Sequence, residues 1–210
     1  GRLNVNAATP EMLMAWPGVS NVLAEAVVFH VAKAREREDR EKAGQAKSPD
    51  QVHPGVKMVD GPIRDLEELL RVPGMTRELL FGQEGKPGLA GDWTCFSSGK
   101  VNVNTARPRV LAALGLDEGR VNSALAPRRA GWAGFASVGE FLDAVGAKDM
   151  KHPPPAGMLD VKSGNFRIEC RAGRESGPGG AVVQARLTLD DKRMRFSSWR
   201  VRPAGTGQQE

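Results

Sequence analysis

Two short stretches of this chain are copies of one another. Lys100-Val101-Asn102-Val103-Asn104-Thr105 echoes Arg2-Leu3-Asn4-Val5-Asn6-Ala7. In each copy apolar and polar residues alternate for a few positions, then give way to a helix start that contains proline, Pro10 or Pro108. The copies align at an offset of 98 residues, whereas further on Ile63 to Gly74 aligns with Phe135 to Gly146 at an offset of 72. The first copy therefore holds a net insertion of 26 residues, with both of its ends preserved. A repeat of this length is one supersecondary unit used twice, which fixes the architecture before any single element is considered.

Within the first copy, Thr9 followed by Pro10 predicts a capped helix start, because proline at the first helical position loses no hydrogen bond. That short helix closes at Trp16-Pro17-Gly18, and Ser20 caps a longer one. Val22, Leu23, Ala26, Val27, Val31 and Ala34 give it an apolar stripe. The alternating charges of Arg35 to Lys42 suit a helix continuing into solvent through i,i+4 pairs. The inserted loop is placed at 35–62, with its Pro- and Gly-containing part from Gly44. Asp65-Leu66-Glu67-Glu68 and Ser137-Val138-Gly139-Glu140 read as capping boxes, their acids serving helix starts rather than chemistry. Thr76 caps a further short helix through Phe81.

Beyond Met158 the period becomes two. Phe166, Ile168 and Cys170 alternate with Arg167, Glu169 and Arg171, and Val183, Ala185, Leu187 and Leu189 with Gln184, Arg186 and Thr188. Asp190-Asp191-Lys192 then turns the chain into Met194 to Val201. This predicts an antiparallel sheet with one face buried and one wet. The expected fold class is α+β, divided as a first helical repeat over 1–82, a linker over 83–99 and a second repeat over 100–150. A proline-rich joint follows over 151–157, then an antiparallel β segment over 158–202 and a disordered tail over 203–210.

Reactive chemistry is not evident. Lys100 is followed by Val101, and Thr94 stands where a phosphate loop needs its first glycine. Neither a Gly-x-Ser-x-Gly elbow nor a His-Glu-x-x-His pair occurs. His30, His53 and His152 fall in separate segments; His30 reads as a satisfied helix histidine and His53 as a loop residue without a partner. No catalytic, cofactor-binding or metal-binding residues are assigned, and the chain reads as a non-enzyme. Cys95 and Cys170 show neither zinc nor redox spacing; they could form one bridge or remain two buried thiols. The net charge is +5, with 12 basic against 14 acidic residues up to Gly99 and 18 against 11 thereafter. Scattered arginines read as a solvated face. No apolar run reaches the length of a membrane span. Gly1-Arg2 leads straight into the repeat, so the chain reads as a fragment of a longer protein.

Two resemblances follow from these residues. The first copy resembles a helix-hairpin-helix module of the kind found in bacterial competence proteins that receive DNA. There an Asn-x-Asn strand end precedes a short helix, and a Pro-Gly-apolar-Gly hairpin holds a DNA phosphate. Pro17-Gly18-Val19 matches, while Ser20 replaces the second glycine, and in the second copy Asp117-Glu118 brings carboxylates to that place. On this reading Gly18, Val19 and Ser20 would contact the DNA backbone.

The other resemblance covers nearly residues 2–202. Two Asn-x-Asn-headed units, a proline-rich joint and strands ending Ser197-Ser198-Trp199-Arg200 are similar to the minor pseudopilin K family of the type II secretion system. Its most specific parts are Leu3-Asn4-Val5-Asn6, Val72-Pro73-Gly74-Met75-Thr76, Gly99 to Ala106 and Ser163 to Arg171. The resemblance implies a pilin-type β segment carrying sterile-alpha-motif-like (SAM-like) helical units. It also implies an N-terminal apolar helix, absent from this chain, that anchors the protein in the bacterial inner membrane, with the remainder periplasmic. The implied partners are the minor pseudopilins I and J in a complex capping the pseudopilus tip, and the implied cofactor is calcium. No ligand set for calcium is recognisable; Asp190-Asp191 read as turn residues.

Overall fold

A computed structural model describes residues 1–42, 63–129, 131, 134–173, 180–190 and 193–203. The inserted segment 43–62 and the tail 204–210 lie outside the described residues, as do His53 and the turn at Asp191-Lys192. The chain divides into two compact units, Gly1–Lys162 and Ser163–Glu210. The α+β class and the antiparallel sheet near the C-terminus are as expected.

In the first unit each Asn-x-Asn stretch begins a copy, and a distant two-residue strand closes it. Strand β1 (Leu3–Asn4) leads to α1 (Pro10–Leu13) and α2 (Asn21–Lys42), then to a 3-10 helix over Leu66–Arg71 and to α3 (Arg77–Phe81). The narrow pair β2 (Gly82–Gln83) and β3 (Lys86–Pro87) precedes β4 (Trp93–Thr94), which lies parallel to β1 with Leu3 opposite Trp93. The second copy runs through β5 (Val101–Asn102), α4 (Pro108–Ala113), α5 (Glu118–Arg129), α6 (Val138–Ala144) and β6 (Leu159–Asp160). Strand β6 is parallel to β5, with Val101 opposite Leu159. Val5 N–H donates to the Thr94 carbonyl and Val103 N–H to the Asp160 carbonyl, both at 2.9 Å.

The two asparagines of each motif have separate tasks. Asn4 Oδ1 accepts from the Asn6 N–H, and Asn102 Oδ1 from the Asn104 N–H, both at 2.9 Å, which turns the chain out of its strand. Asn6 then bridges segments. Its Nδ2 donates to the carbonyls of Ile63 (2.8 Å) and Cys95 (3.3 Å), while its Oδ1 accepts from the Ile63 N–H (3.0 Å). Asn104 does the same with Phe135 (3.0 and 2.8 Å) and Val161 (3.0 Å). A primary amide alone supplies two donors and an acceptor at one point, so it can satisfy two chain segments that have no regular partner.

Several boundaries differ from the expectation. The Asp65 capping box is present, with Asp65 Oδ1 accepting from Glu67 N–H and Glu68 Oε1 from Asp65 N–H, but the helix it opens is 3-10 rather than α. Residues 83–99, expected as a linker, also complete the first copy: Leu89 and Trp93 are buried, and β4 is the only strand paired with β1 among the described residues. The second copy likewise extends past the proline-rich joint to Lys162, because Leu159 must pair with Val101 to close it. Helix α2 runs on to Lys42, so residues 35–42 of the inserted stretch are helical.

The core of this unit is one hydrophobic cluster drawn from both copies. Trp16 meets Trp93 edge-on at 5.6 Å between ring centroids, and Phe135 meets Phe141 similarly at 5.3 Å. The second unit is a sheet in the order β7 (Asn165–Gly173), β8 (Gly180–Asp190), β9 (Arg193–Pro203), antiparallel throughout, with an irregularity of register between Arg186 and Leu187. Its apolar face is not buried as expected. Ala185 and Leu187 on the middle strand are covered, but Ile168 is 47% and Phe196 57% exposed, and Cys170 is exposed as well. The described residues of this unit are strands and loops, and three strands cannot cover their own face.

Candidate functional site

Two hairpins and the seam between the copies carry the features most suited to recognition. Gly18 (φ +83°) and Gly115 (φ +90°) make equivalent turns, each in a left-handed conformation that disfavours a side chain. A Cβ at Gly18 would in addition stand 3.0 Å from Leu79 Cδ1. Val19 and Leu116, the next residues, are buried and anchor their hairpins to the core.

The third position differs between copies in charge but not in task. Ser20 Oγ accepts from Leu23 N–H at 3.2 Å, and Asp117 Oδ1 from Arg120 N–H at 2.9 Å, so each side chain caps the helix that follows. Asp117 also pairs with Arg120 at 3.1 Å. The sequence thus brings Gly18, Val19 and Ser20 into one turn, with the serine hydroxyl occupied by its own helix.

At the seam, the buried Asp92 accepts from Trp16 Nε1 at 3.1 Å and pairs through its other oxygen with Arg107 at 3.3 Å. Asp92 belongs to the first copy and Arg107 caps α4 of the second by position, so one carboxylate ties the copies together. An open cleft of about 580 Å³ lies here, lined by Ala15, Pro87, Asp92, Arg107, Arg109 and Glu118 among others. Sequence reading missed this pair, since Asp92 falls in the stretch read as a linker and no spacing along the chain relates it to Arg107. Arg128 also ties segments, donating to the carbonyls of Ala106 (2.6 Å) and Val103; burial lowers its pKa.

His30 is buried on α2, its Nε2 without a hydrogen-bond partner among the described residues. Burial lowers its pKa, and the nearby Glu68 opposes that shift. Neither cysteine is in a disulfide: Cys95 Sγ donates to the Arg64 carbonyl at 3.0 Å, while Cys170 is exposed rather than buried. Among the described residues no three His, Cys, Asp or Glu side chains are placed to hold a metal ion. None of the described helices is long and apolar enough to cross a membrane.

These features define a duplicated helical unit held together by buried polar ties, accompanied by an antiparallel sheet. Residues 101–162 match the family of the type II secretion system (T2SS), protein K. The matched stretch begins at the first residue of β5 and ends just past β6, so it coincides with the closed second copy. The resemblance to that family is thereby borne out over residues 101–162, less than half of the chain, and the match supports a part in type II secretion. The family is a structural component of a pseudopilin assembly, which accords with protein partners. No curated protein and no solved structure matches the chain.

Proposed function

We propose that this chain is a structural minor pseudopilin that caps the tip of the type II secretion pseudopilus. The observation that carries this reading is the coincidence of the family match with one complete structural copy, residues 101–162. On this reading the two copies form SAM-like helical units that obstruct addition of further subunits, and the sheet forms the pilin-type body. The protein's working parts are contact surfaces, it resides in the periplasm of a bacterium, and its partners are the minor pseudopilins I and J. The exposed apolar face with Phe166, Ile168 and Phe196 supports a partner at the sheet, since an apolar face of this kind gains by being covered.

Co-expression with I and J tests the proposal. A stoichiometric complex that co-elutes through gel filtration, and shorter pseudopili when the chain is overproduced, are the expected outcomes. Absence of a complex together with unaltered pseudopili would end it.

The second reading is non-specific DNA binding through Gly18, Val19 and Ser20. The retained hairpin turns at Gly18 and Gly115 favour it, while the Asp117 carboxylate opposes a phosphate in the second copy. A salt titration against duplex DNA separates the two readings: phosphate contacts give a steep loss of affinity with salt. Binding that collapses with salt and is abolished by Gly18→Val would establish the DNA reading.

A further inference from the structure

The β7–β8–β9 sheet has two edges, and they differ in how well they could accept a further strand. On β9, Ser197 has no counterpart on β8, because Arg186 stands opposite Ser198 and Leu187 opposite Phe196, and the strand ends at Pro203. An extra residue and a proline both hinder the addition of a strand. β7 pairs with β8 without a break from Asn165 to Gly173 and contains no proline. Among the described residues β8 is its only strand neighbour, and Phe166 to Ala172 are exposed. Glu169 is exposed although its side chain is only 27% accessible, so its backbone is the open part.

The ladder fixes which backbone groups are open. Leu189 N–H donates to the Gly164 carbonyl at 2.7 Å, which marks these two as a hydrogen-bonded pair. In an antiparallel ladder such pairs recur at every second residue. Phe166, Ile168, Cys170 and Ala172 therefore bond to β8, and the N–H and C=O groups of Asn165, Arg167, Glu169 and Arg171 point away from it. A row of such groups is a template for another strand.

We propose that β7 pairs with β7 of a second copy of this chain, antiparallel about a two-fold axis at Ile168, so that two three-stranded sheets join into one. The inference does not rest on the secretion reading.

The residue order along β7 selects this occupant and this register. A two-fold interface must be complementary to itself. Centred on Ile168, Arg167 stands opposite the partner's Glu169 and Asn165 opposite the partner's Arg171, each pair exchanging its backbone hydrogen bonds. Ile168 meets its own copy in the non-hydrogen-bonded position, where side chains approach most closely. Centring on Arg167 or on Glu169 would instead set arginine against arginine, which destabilises a sheet. Centring on Cys170 would place Arg167 opposite the partner's Gly173 and give up the isoleucine contact. The pairing needs no unmatched charge: main-chain groups drive it, and Arg167 and Glu169, already 3.7 Å apart within the strand, choose the register.

Sedimentation equilibrium of the full chain at submillimolar concentrations tests the proposal, and a reversible dimer is expected. Arg167→Glu places like charges at both symmetry-related pairs and should weaken the dimer about tenfold, as should Glu169→Arg. The double variant Arg167→Glu/Glu169→Arg restores opposite charges and should return to within a few-fold of the unaltered chain. Arg167→Pro removes an N–H that points to the partner and not to β8, so it should abolish the dimer with an unchanged far-UV spectrum. If that variant fails to fold, the charge exchange decides alone. A chain that stays monomeric would overturn the proposal. So would a dimer that the double variant does not restore, or one that a folded Arg167→Pro variant retains.

Discussion

At the scale of single residues, this fold depends on a few side chains that satisfy backbone groups far away in sequence. Asn104 is the clearest case, because its amide meets the backbone of both Phe135 and Val161. Asn104→Ala removes three hydrogen bonds, to two carbonyls and an N–H, and should lower stability by roughly 2–4 kcal/mol in urea unfolding. Asn6→Ala should do the same in the first copy, whereas Asn104→Asp, which can accept but not donate, should be no better than alanine at neutral pH. His30 supplies a pH dependence. Its pKa is lowered in the folded state by burial, with Arg71 adding to the effect and Glu68 opposing it. The unfolded chain therefore binds the proton more readily, so this contribution to stability is complete above the unfolded value of 6.5 and falls as the pH drops through the folded value. Unfolding midpoints should decrease below about pH 6.5, and His30→Gln should flatten that decrease; an unchanged slope in the variant would assign the effect elsewhere.

At the scale of elements, caps and turns are legible in the sequence, while the covering of faces is not. Thr9, Ser20, Thr76 and Ser137 each cap the helix that their position predicts, because a hydroxyl one residue before a helix meets an orphan N–H whatever the rest of the protein does. Ser137→Ala should cost about 1 kcal/mol, read from the urea midpoint. The strands β7, β8 and β9 also follow from alternation alone, but alternation says which residues share a face and not what lies upon it. Ile168 and Phe196 accordingly stand exposed. Replacing both by threonine, which keeps β propensity, should leave the far-UV spectrum unchanged and lower the fluorescence of a hydrophobic dye bound to the protein. Undiminished dye binding would show that the dye reports another surface.

At the scale of the whole molecule, the described core cluster lies entirely within residues 1–162, and among the described residues of the sheet beyond only Val182, Ala185 and Leu187 are buried apolar residues. Residues 1–162 produced alone should therefore unfold cooperatively, with a thermal midpoint close to that of the full chain. A broad, non-cooperative melt would show that the sheet contributes to the first unit's stability. The sequence by itself determined the duplication, the helix starts, the antiparallel strands and the kinship of the second copy, because repeats, caps and periods are local patterns written in neighbouring residues. Only the tertiary structure decided that Trp93 and Leu159 close the two copies, since a two-residue strand has no period by which to be recognised. It alone joined Asp92 to Arg107 and set Arg167 against Arg186, because each pair is made by folding and register, which bring together residues that no spacing along the chain relates.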